Sequence, residues 1–378
     1  MTCVVWSWKS ELSKSRYSEK ARARDLGIPF EGTTGSLNAI TDVVGVEVGH
    51  TTIISGDGPL RIGVGPVRTG VTAVLPRGKE SDDPTFAGWF SLNGCGEMTG
   101  TAWVEESGFL EGPVMITNTH SVGTVRDAVV AWQLKHLQKG VNRTEPFFLP
   151  VVAETYDGYL NDMNGFHVKE NHVFEALNGA MSGPVAEGNV GGGTGMICHE
   201  FKGGIGTASR VLAEKFGTYT VGVLAQCNHG RRNQLRVAGV PVGLEIRENM
   251  IYSEDRGSII IVLATNAPLL PHQLKRVARR ASLGLGRTGT YSGTASGDLF
   301  IAFSTANPGA AKPRTQLTMF PNERMNPIFE ACVQATEEAI INGLVAAETM
   351  TGIDGHTVMA IPHDRLRQVM KKYNRLIN

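Results

Sequence analysis

A single α/β domain is what this sequence predicts, and three observations carry that expectation. Short, near-continuous apolar runs recur along the chain, as in strands buried on both faces. Between them lie stretches whose apolar residues repeat with helical spacing. No internal repeat, Gly/Ser linker or low-complexity segment divides the chain. With 378 residues, one large domain or two would be possible, and sheet between helices in one domain is the economical arrangement.

The elements read off in order. Strands are expected over residues 71–75, 113–117, 149–153, 220–225, 259–263 and 299–303. Val125, Ala128, Val129 and Trp132 form one apolar helical stripe, and Leu274, Val277, Ala278 and Ala281 form another. Pro271 suits the first turn of the second helix. Asn326 and Pro327 read as N-cap and N1 of a long helix running through Ala335 and Ala339 to a stop near Gly352. Residues 1–21 read as a poorly ordered polar and basic extension, and 22–378 as the domain.

Composition narrows the function. The 36 Lys and Arg balance 36 Asp and Glu, whereas a polyanion partner would normally require a basic excess, so nucleic acid is disfavoured. Five scattered cysteines with no Cys-x-x-Cys pair argue against a disulfide framework or zinc knuckle. There is no signal-peptide pattern and no run of about 20 apolar residues, so a cytoplasmic protein off the membrane is expected. The sequon at Asn142 carries no weight without secretion.

Several familiar signatures fail. Gly78-Lys79 is followed by Glu80, not the Ser or Thr of a phosphate loop. In Gly191-Gly192-Gly193-Thr194-Gly195-Met196, methionine replaces the last glycine of a dinucleotide loop. Thr119-His120-Ser121-Val122-Gly123 lacks the first glycine of a nucleophile elbow. The ten histidines form no ligand pair at helical spacing, so neither a catalytic metal nor an organic cofactor is expected.

What survives is a set of polar clusters at strand ends. Glu154 to Gly158 follow one expected strand, Gln226 to Gly230 follow another, and Ser292 to Asp298 lead into a third. Gly257-Ser258 stands at the mouth of the strand at 259–263. If the bond between them breaks, Ser258 gains a free α-amine, with a reference pKa of about 7.7–8.0, beside its own hydroxyl. Gly257 tolerates the backbone that such scission demands. Each piece has a plainer reading as a turn or loop residue; together they make an acyl-transfer kit.

From Arg24 to the C-terminus the chain resembles the DmpA-type peptidases, the L-aminopeptidase/D-alanyl-esterase-amidases and β-peptidyl aminopeptidases. Four motifs carry the likeness: residues 38–43 with 45–50, residues 117–123, residues 150–155, and Gly257-Ser258. The resemblance implies a four-layer αββα sandwich, like Ntn hydrolases but differently connected. It implies a precursor that cuts itself into chains 1–257 and 258–378, which remain together as a heterodimer and assemble further. It makes Ser258 the nucleophile, Asn228 the oxyanion donor, Tyr156 a residue lining the same site, and Ser296 and Asp298 the residues holding the new terminus. Glu154 would grip a substrate ammonium group. The substrate would be a short peptide, amide or ester with an unblocked first residue, and Asp298 leans the chain towards the L-aminopeptidase branch.

The residues support those roles to different degrees. Asp298 lies two positions from Ser296 and so on the same strand face. Tyr156 could equally be a packed core residue, and Glu154 a turn cap. Asn118 and His120 are further candidates for the pocket, though His120 reads equally as a cap of the helix that follows. His229 reads as structural, and Cys95 as packed against backbone. Two other functions compete: an acyltransferase akin to ornithine acetyltransferase, which would carry threonine at position 258, and a nucleotide-binding module using the loop at Gly191–Gly195.

Overall fold

The computed structural model describes residues 20–137, 147–251 and 257–377. Residues 1–19 of the expected extension, the sequon at Asn142 and residues 252–256 just before Gly257 lie outside them. Lys20 is ion-paired to Glu348 at 2.8 Å, and Ala21 packs on the core.

Two sheets are stacked. The smaller contains β1 (Glu47–Ser55), β2 (Val67–Leu75), β5 (Val114–Asn118) and β6 (Val151–Thr155) in the spatial order β1-β2-β5-β6. The larger is built from β3 (Thr85–Gly94), β4 (Phe109–Leu110), β9 (Gly204–Val211), β10 (Thr220–Asn228), β11 (Ser258–Thr265) and β12 (Gly297–Ser304), in the order β4-β3-β12-β11-β10-β9. Small hairpins β7 (Ile197–Cys198)/β8 (Phe201–Lys202) and β13 (Met350–Thr351)/β14 (Thr357–Val358) decorate them. Helices α2 (Val122–Leu137) and α3 (Glu170–Asn178) pack on the smaller sheet, and α5 (Pro271–Arg287) and α6 (Asn326–Val345) on the larger. Three shorter helices complete the fold: α1 (Thr101–Ser107), α4 (Val242–Glu245) and α7 (His363–Lys372). The order of layers is therefore α, β, β, α.

That layering explains the apolar runs. In β11, Ile260, Val262 and Ala264 face the second sheet, while Ile259, Ile261 and Leu263 face α5 and α6. A strand with no solvent face has no use for alternation. Truncating one such isoleucine to alanine costs about 2–5 kcal/mol. The expected stripes of α2 and α5 are buried as read: Val125, Ala128, Val129 and Trp132 in one, Leu274, Val277, Ala278 and Ala281 in the other.

The register places the site. β10 runs antiparallel to β11 with Asn228 opposite Ser258. β11 runs parallel to β12 with Ile259 opposite Asp298, and α5 lies in the crossover that such a pair requires. β12 is antiparallel to β3 with Gly297 opposite Gly94. The end of β10, the starts of β11 and β12 and the end of β3 thus meet at one edge of the larger sheet.

Two expectations need correcting. The polar clusters do not simply flank strands: Glu154, Asn228 and Asp298 are strand residues, because each sheet extends further into the site than the apolar runs do. The long helix has Met325, not Asn326, as its N-cap and ends at Val345, not near Gly352. Beyond it, Met350–Thr351 pairs with Thr357–Val358, and Gly352 packs so tightly on Leu160 that a Cβ there would lie 2.6 Å from the Leu160 carbonyl carbon. Main-chain pairing outcompetes the helical pattern at that point.

Candidate active site

Ser258 opens β11 and is almost fully buried. Its Oγ accepts a hydrogen bond of 3.0 Å from the backbone N–H of Gly297. The preceding residue, Gly257, has φ 152°. A Cβ there would lie 2.9 Å from His229 Cα and 3.0 Å from the Asn228 carbonyl carbon, and closer still to the Asn228 carbonyl oxygen. Only glycine allows the backbone to pass this near to its neighbour.

Asn228 is held by both ends of its amide. Its Oδ1 accepts from the Ile197 N–H at 2.8 Å, and its Nδ2 donates to the Tyr156 carbonyl at 2.9 Å. The Ile197 contact fixes which end is oxygen, and one of the two N–H bonds of Nδ2 is left over. Tyr156 therefore reaches the site through its carbonyl; its ring is half exposed and lies over Gly158.

On the other flank, Ser296 Oγ donates to Asp298 Oδ1 at 2.6 Å, with both residues buried. The Ser296 carbonyl accepts from the Cys95 N–H at 3.2 Å, which ties the end of β3 to the start of β12. Cys95 is exposed.

Glu154, at the end of β6, comes from the other sheet. One carboxylate oxygen accepts from the Glu97 N–H at 3.0 Å, and the other from the Thr119 hydroxyl. Burial pushes its carboxyl up, against the pull of those two hydrogen bonds. Gly96 lies between the two clusters: a Cβ on it would be 2.9 Å from Gly297 Cα and 3.2 Å from Glu154 Oε1.

The remaining candidates divide. Asn118 is buried and its Nδ2 donates to Thr69 Oγ1 and Asp157 Oδ2, both at 3.0 Å, so that end braces a buried acid. Asp157 also accepts from Asn161 at 3.0 Å, and burial raises its carboxyl to about 6. His120 is exposed, stacked on Phe166 with ring centroids 6.0 Å apart, and near enough to Glu154 to favour its ionised form. His229 is buried, which drives its imidazole well towards the neutral form. The roles of Thr119, Glu97 and Gly96 escaped sequence reading, since nothing in their spacing distinguishes them from loop residues.

The loop at Gly191–Gly195 is filled, not open. Gly191, Gly192 and Gly193 are buried, and a Cβ at Gly192 would lie 2.7 Å from the Ile116 carbonyl oxygen. A phosphate has no room there.

Comparison with known proteins decides the family. The model of peptidase family S58 matches residues 38–358. The chain belongs to peptidase family S58. It is 55% identical to a β-peptidyl aminopeptidase, BapA, of Sphingosinicella microcystinivorans, covering 97% of this chain and 96% of the relative. The solved L-aminopeptidase D-Ala-esterase/amidase of Ochrobactrum anthropi, described as a prototype serine aminopeptidase and a variant of the Ntn-hydrolase fold, superposes with TM-score 0.88 at 51% identity. It covers 94% of this chain and 99% of that one. A Burkholderia sp. β-aminopeptidase superposes with TM-score 0.84 at 48% identity, over 93% and 99% of the two chains. The expected αββα, Ntn-hydrolase-like fold is thereby borne out. So is the reading of the chain as an aminopeptidase of the S58 kind, in preference to the acyltransferase.

Proposed function

We propose that the S58 activity of this chain depends on self-cleavage between Gly257 and Ser258 and is carried by Ser258 as an N-terminal nucleophile. The observation that carries the reading is the register that sets Asn228 opposite Ser258 with the Gly297 N–H on its hydroxyl. In the precursor, Ser258 Oγ adds to the Gly257 carbonyl carbon. The C–N bond breaks as its nitrogen takes up the hydroxyl proton, leaving an ester. Water hydrolyses the ester to a Gly257 carboxylate and a free Ser258 amine.

In turnover, that amine accepts the Ser258 hydroxyl proton as Oγ attacks the substrate carbonyl. The spare N–H of Asn228 Nδ2 is a donor for the tetrahedral oxyanion; such a donor is worth about 10²–10³ in kcat. The proton then goes to the departing amine, and water releases the acyl group. Asp298, through Ser296, gives the new terminus an anionic neighbour for charge-assisted hydrogen bonding. Tyr156 contributes the carbonyl that orients Asn228. Glu154 is the acceptor for the substrate's own ammonium, which makes the activity specific for an unblocked first residue.

The substrates are short peptides, amides or esters with a free amine, with L-, D-alanyl and β-residues all inside the class suggested by relatives active on β-peptides and D-alanyl esters. Chains 1–257 and 258–378 stay together as a heterodimer, and heterodimers assemble into a homo-oligomer in the cytoplasm. No helix among the described residues is long and apolar enough to cross a membrane. The decisive experiment is intact-mass and denaturing-gel analysis of wild type and Ser258→Ala. Wild type should give two fragments. The variant should remain one species of 40.6 kDa without peptidase activity. A cleaved Ser258→Ala, or a fully active uncleaved wild type, refutes the proposal.

A further inference from the structure

Beside Asn228, on the side away from Ser258's own neighbours in β12, a second cluster plays no part in the chemistry above. Cys198, His199 and His229 are all buried, and one potential ligand atom from each lies within 4.8 Å of the others. Both ring nitrogens of His229 and Nε2 of His199 are buried without a hydrogen-bond partner. Buried imidazole nitrogens rarely remain unpaired, because each then forfeits its hydration for nothing.

The backbone makes the same point. His199 and Glu200 form the turn of the β7/β8 hairpin with φ 48° and 61°. A two-residue turn with positive φ at both positions favours Asn-Gly or Gly-Gly, and a side chain held there costs about 1–3 kcal/mol. Gly230, at φ 81°, gives the His199 ring its space, since a Cβ would lie 2.5 Å from His199 Cε1. The His199 Nδ1 is 3.0 Å from the Arg231 carbonyl, which must accept a proton from it. That hydrogen bond fixes the tautomer with the proton on Nδ1 and the lone pair on Nε2, just as a backbone carbonyl orients a metal-bound histidine. The two rings are edge-on, 5.1 Å between centroids. Cys227, at the end of β10 two residues before His229, has its thiol against that of Cys198.

We propose that Cys198, His199 and His229 form a structural zinc site, completed by Cys227, which stands outside the 4.8 Å group and closes on the ion from beside Cys198. Bonds of about 2.0–2.3 Å in a tetrahedron put ligand atoms roughly 3.3–3.8 Å apart, so the cluster closes by on the order of 1 Å on loading. Both thiols lose their protons to water, and the two thiolates neutralise the dication. The sequence conceals the site because its ligands come as adjacent or alternate residues at the β7/β8 turn and the end of β10, not at helical spacing. Its place gives it a purpose: Ile197, next to Cys198, holds the Asn228 amide oxygen, His229 follows Asn228 in the chain, and the His199 N–H already donates to the His229 carbonyl at 2.7 Å. Zinc would lock the hairpin to the segment that carries Asn228.

The test does not depend on activity. Untagged full-length protein, purified under reducing conditions without chelator, is analysed for metal and titrated with zinc and cobalt(II). About one zinc per chain is expected. Cobalt should produce thiolate-to-metal charge-transfer absorption with tetrahedral visible bands, and both Cys198→Ser and His229→Gln should weaken uptake at least tenfold. Should either variant fail to fold, chelator treatment of wild type must lower the melting temperature, and zinc must restore it. Wild type that takes up neither metal, or variants that retain a full equivalent, overturn the assignment.

Discussion

Gly257→Ala tests the register argument at its tightest point. An alanine Cβ would sit 2.9 Å from His229 Cα and 3.0 Å from the Asn228 carbonyl carbon. Ordinary contact begins near 3.4 Å, so backbone must retreat by about 0.5 Å, and by more at the Asn228 carbonyl oxygen. These neighbours are buried main chain at the end of β10 and just beyond it, and have no rotamer to escape into. Holding a non-glycine residue at this φ costs about 1–3 kcal/mol, and overpacking adds about 1–3 kcal/mol. Whatever relieves the clash moves Asn228 relative to Ser258, and a misplacement near 1 Å can slow a positioned reaction about 10²-fold. The expected result is a folded precursor with a lowered melting temperature and processing slowed by about 10²-fold. Both are read from one time course of intact mass and one thermal melt, with Ser258→Ala as the unprocessed reference. Processing of Gly257→Ala at the wild-type rate would show that the close approach has no bearing on scission.

Three further outcomes are expected. Asn228→Ala should lower kcat by about 10²–10³ with little change in KM, measured on material already cleaved; an equal loss in binding argues against an oxyanion role. Glu154→Gln should raise KM for free-amine substrates tenfold or more, from a charge-assisted contact of about 1.5–3 kcal/mol, while the two-fragment gel pattern stays unchanged. Asp157 supplies a pH signature. Burial lifts its carboxyl from 3.8 to about 6, so the native state prefers the protonated acid more than the unfolded chain does. That preference stabilises the fold below about pH 4 and is lost as pH rises through about 6, a loss of about 3 kcal/mol at 1.36 kcal/mol per unit. In Asp157→Asn, stability relative to wild type should therefore improve by about that much between pH 4 and pH 7 in denaturant titrations; an unchanged difference refutes the sign.

Much of this architecture was readable from the chain because its strands are buried on both faces. A continuous apolar run such as Ile259 to Leu263 suits a doubly covered strand and little else, and the stripes of α2 and α5 follow directly from their periodicity. Strand ends were harder. Thr155, Asn228 and Asp298 continue the ladder on main-chain hydrogen bonds, which polar side chains do not advertise. The family resemblance named Ser258, Asn228, Asp298 and Glu154, and the fold brings Ser258, Asn228 and the start of β12 to one edge. The Nδ2 of Asn118 bonds Thr69 and Asp157, a pairing its place in the sequence does not show. The Thr119 and Glu97 contacts to Glu154 join residues far apart in sequence: Thr119 is brought there by the parallel pairing of β5 with β6, and Glu97 follows β3 of the other sheet.

The position of β11 has a consequence for any two-piece form of the molecule. This strand is interior to its sheet, with β10 from the amino-terminal portion on one side, and β12 beyond it abuts β3, again from the amino-terminal portion. A nick before Ser258 would therefore leave the carboxyl-terminal piece stitched in along two separate seams, with α5 and α6 forming its outer cover. Neither half could be peeled away without dismantling both. Mixing separately prepared halves would then yield nothing unless the two were unfolded and refolded in company.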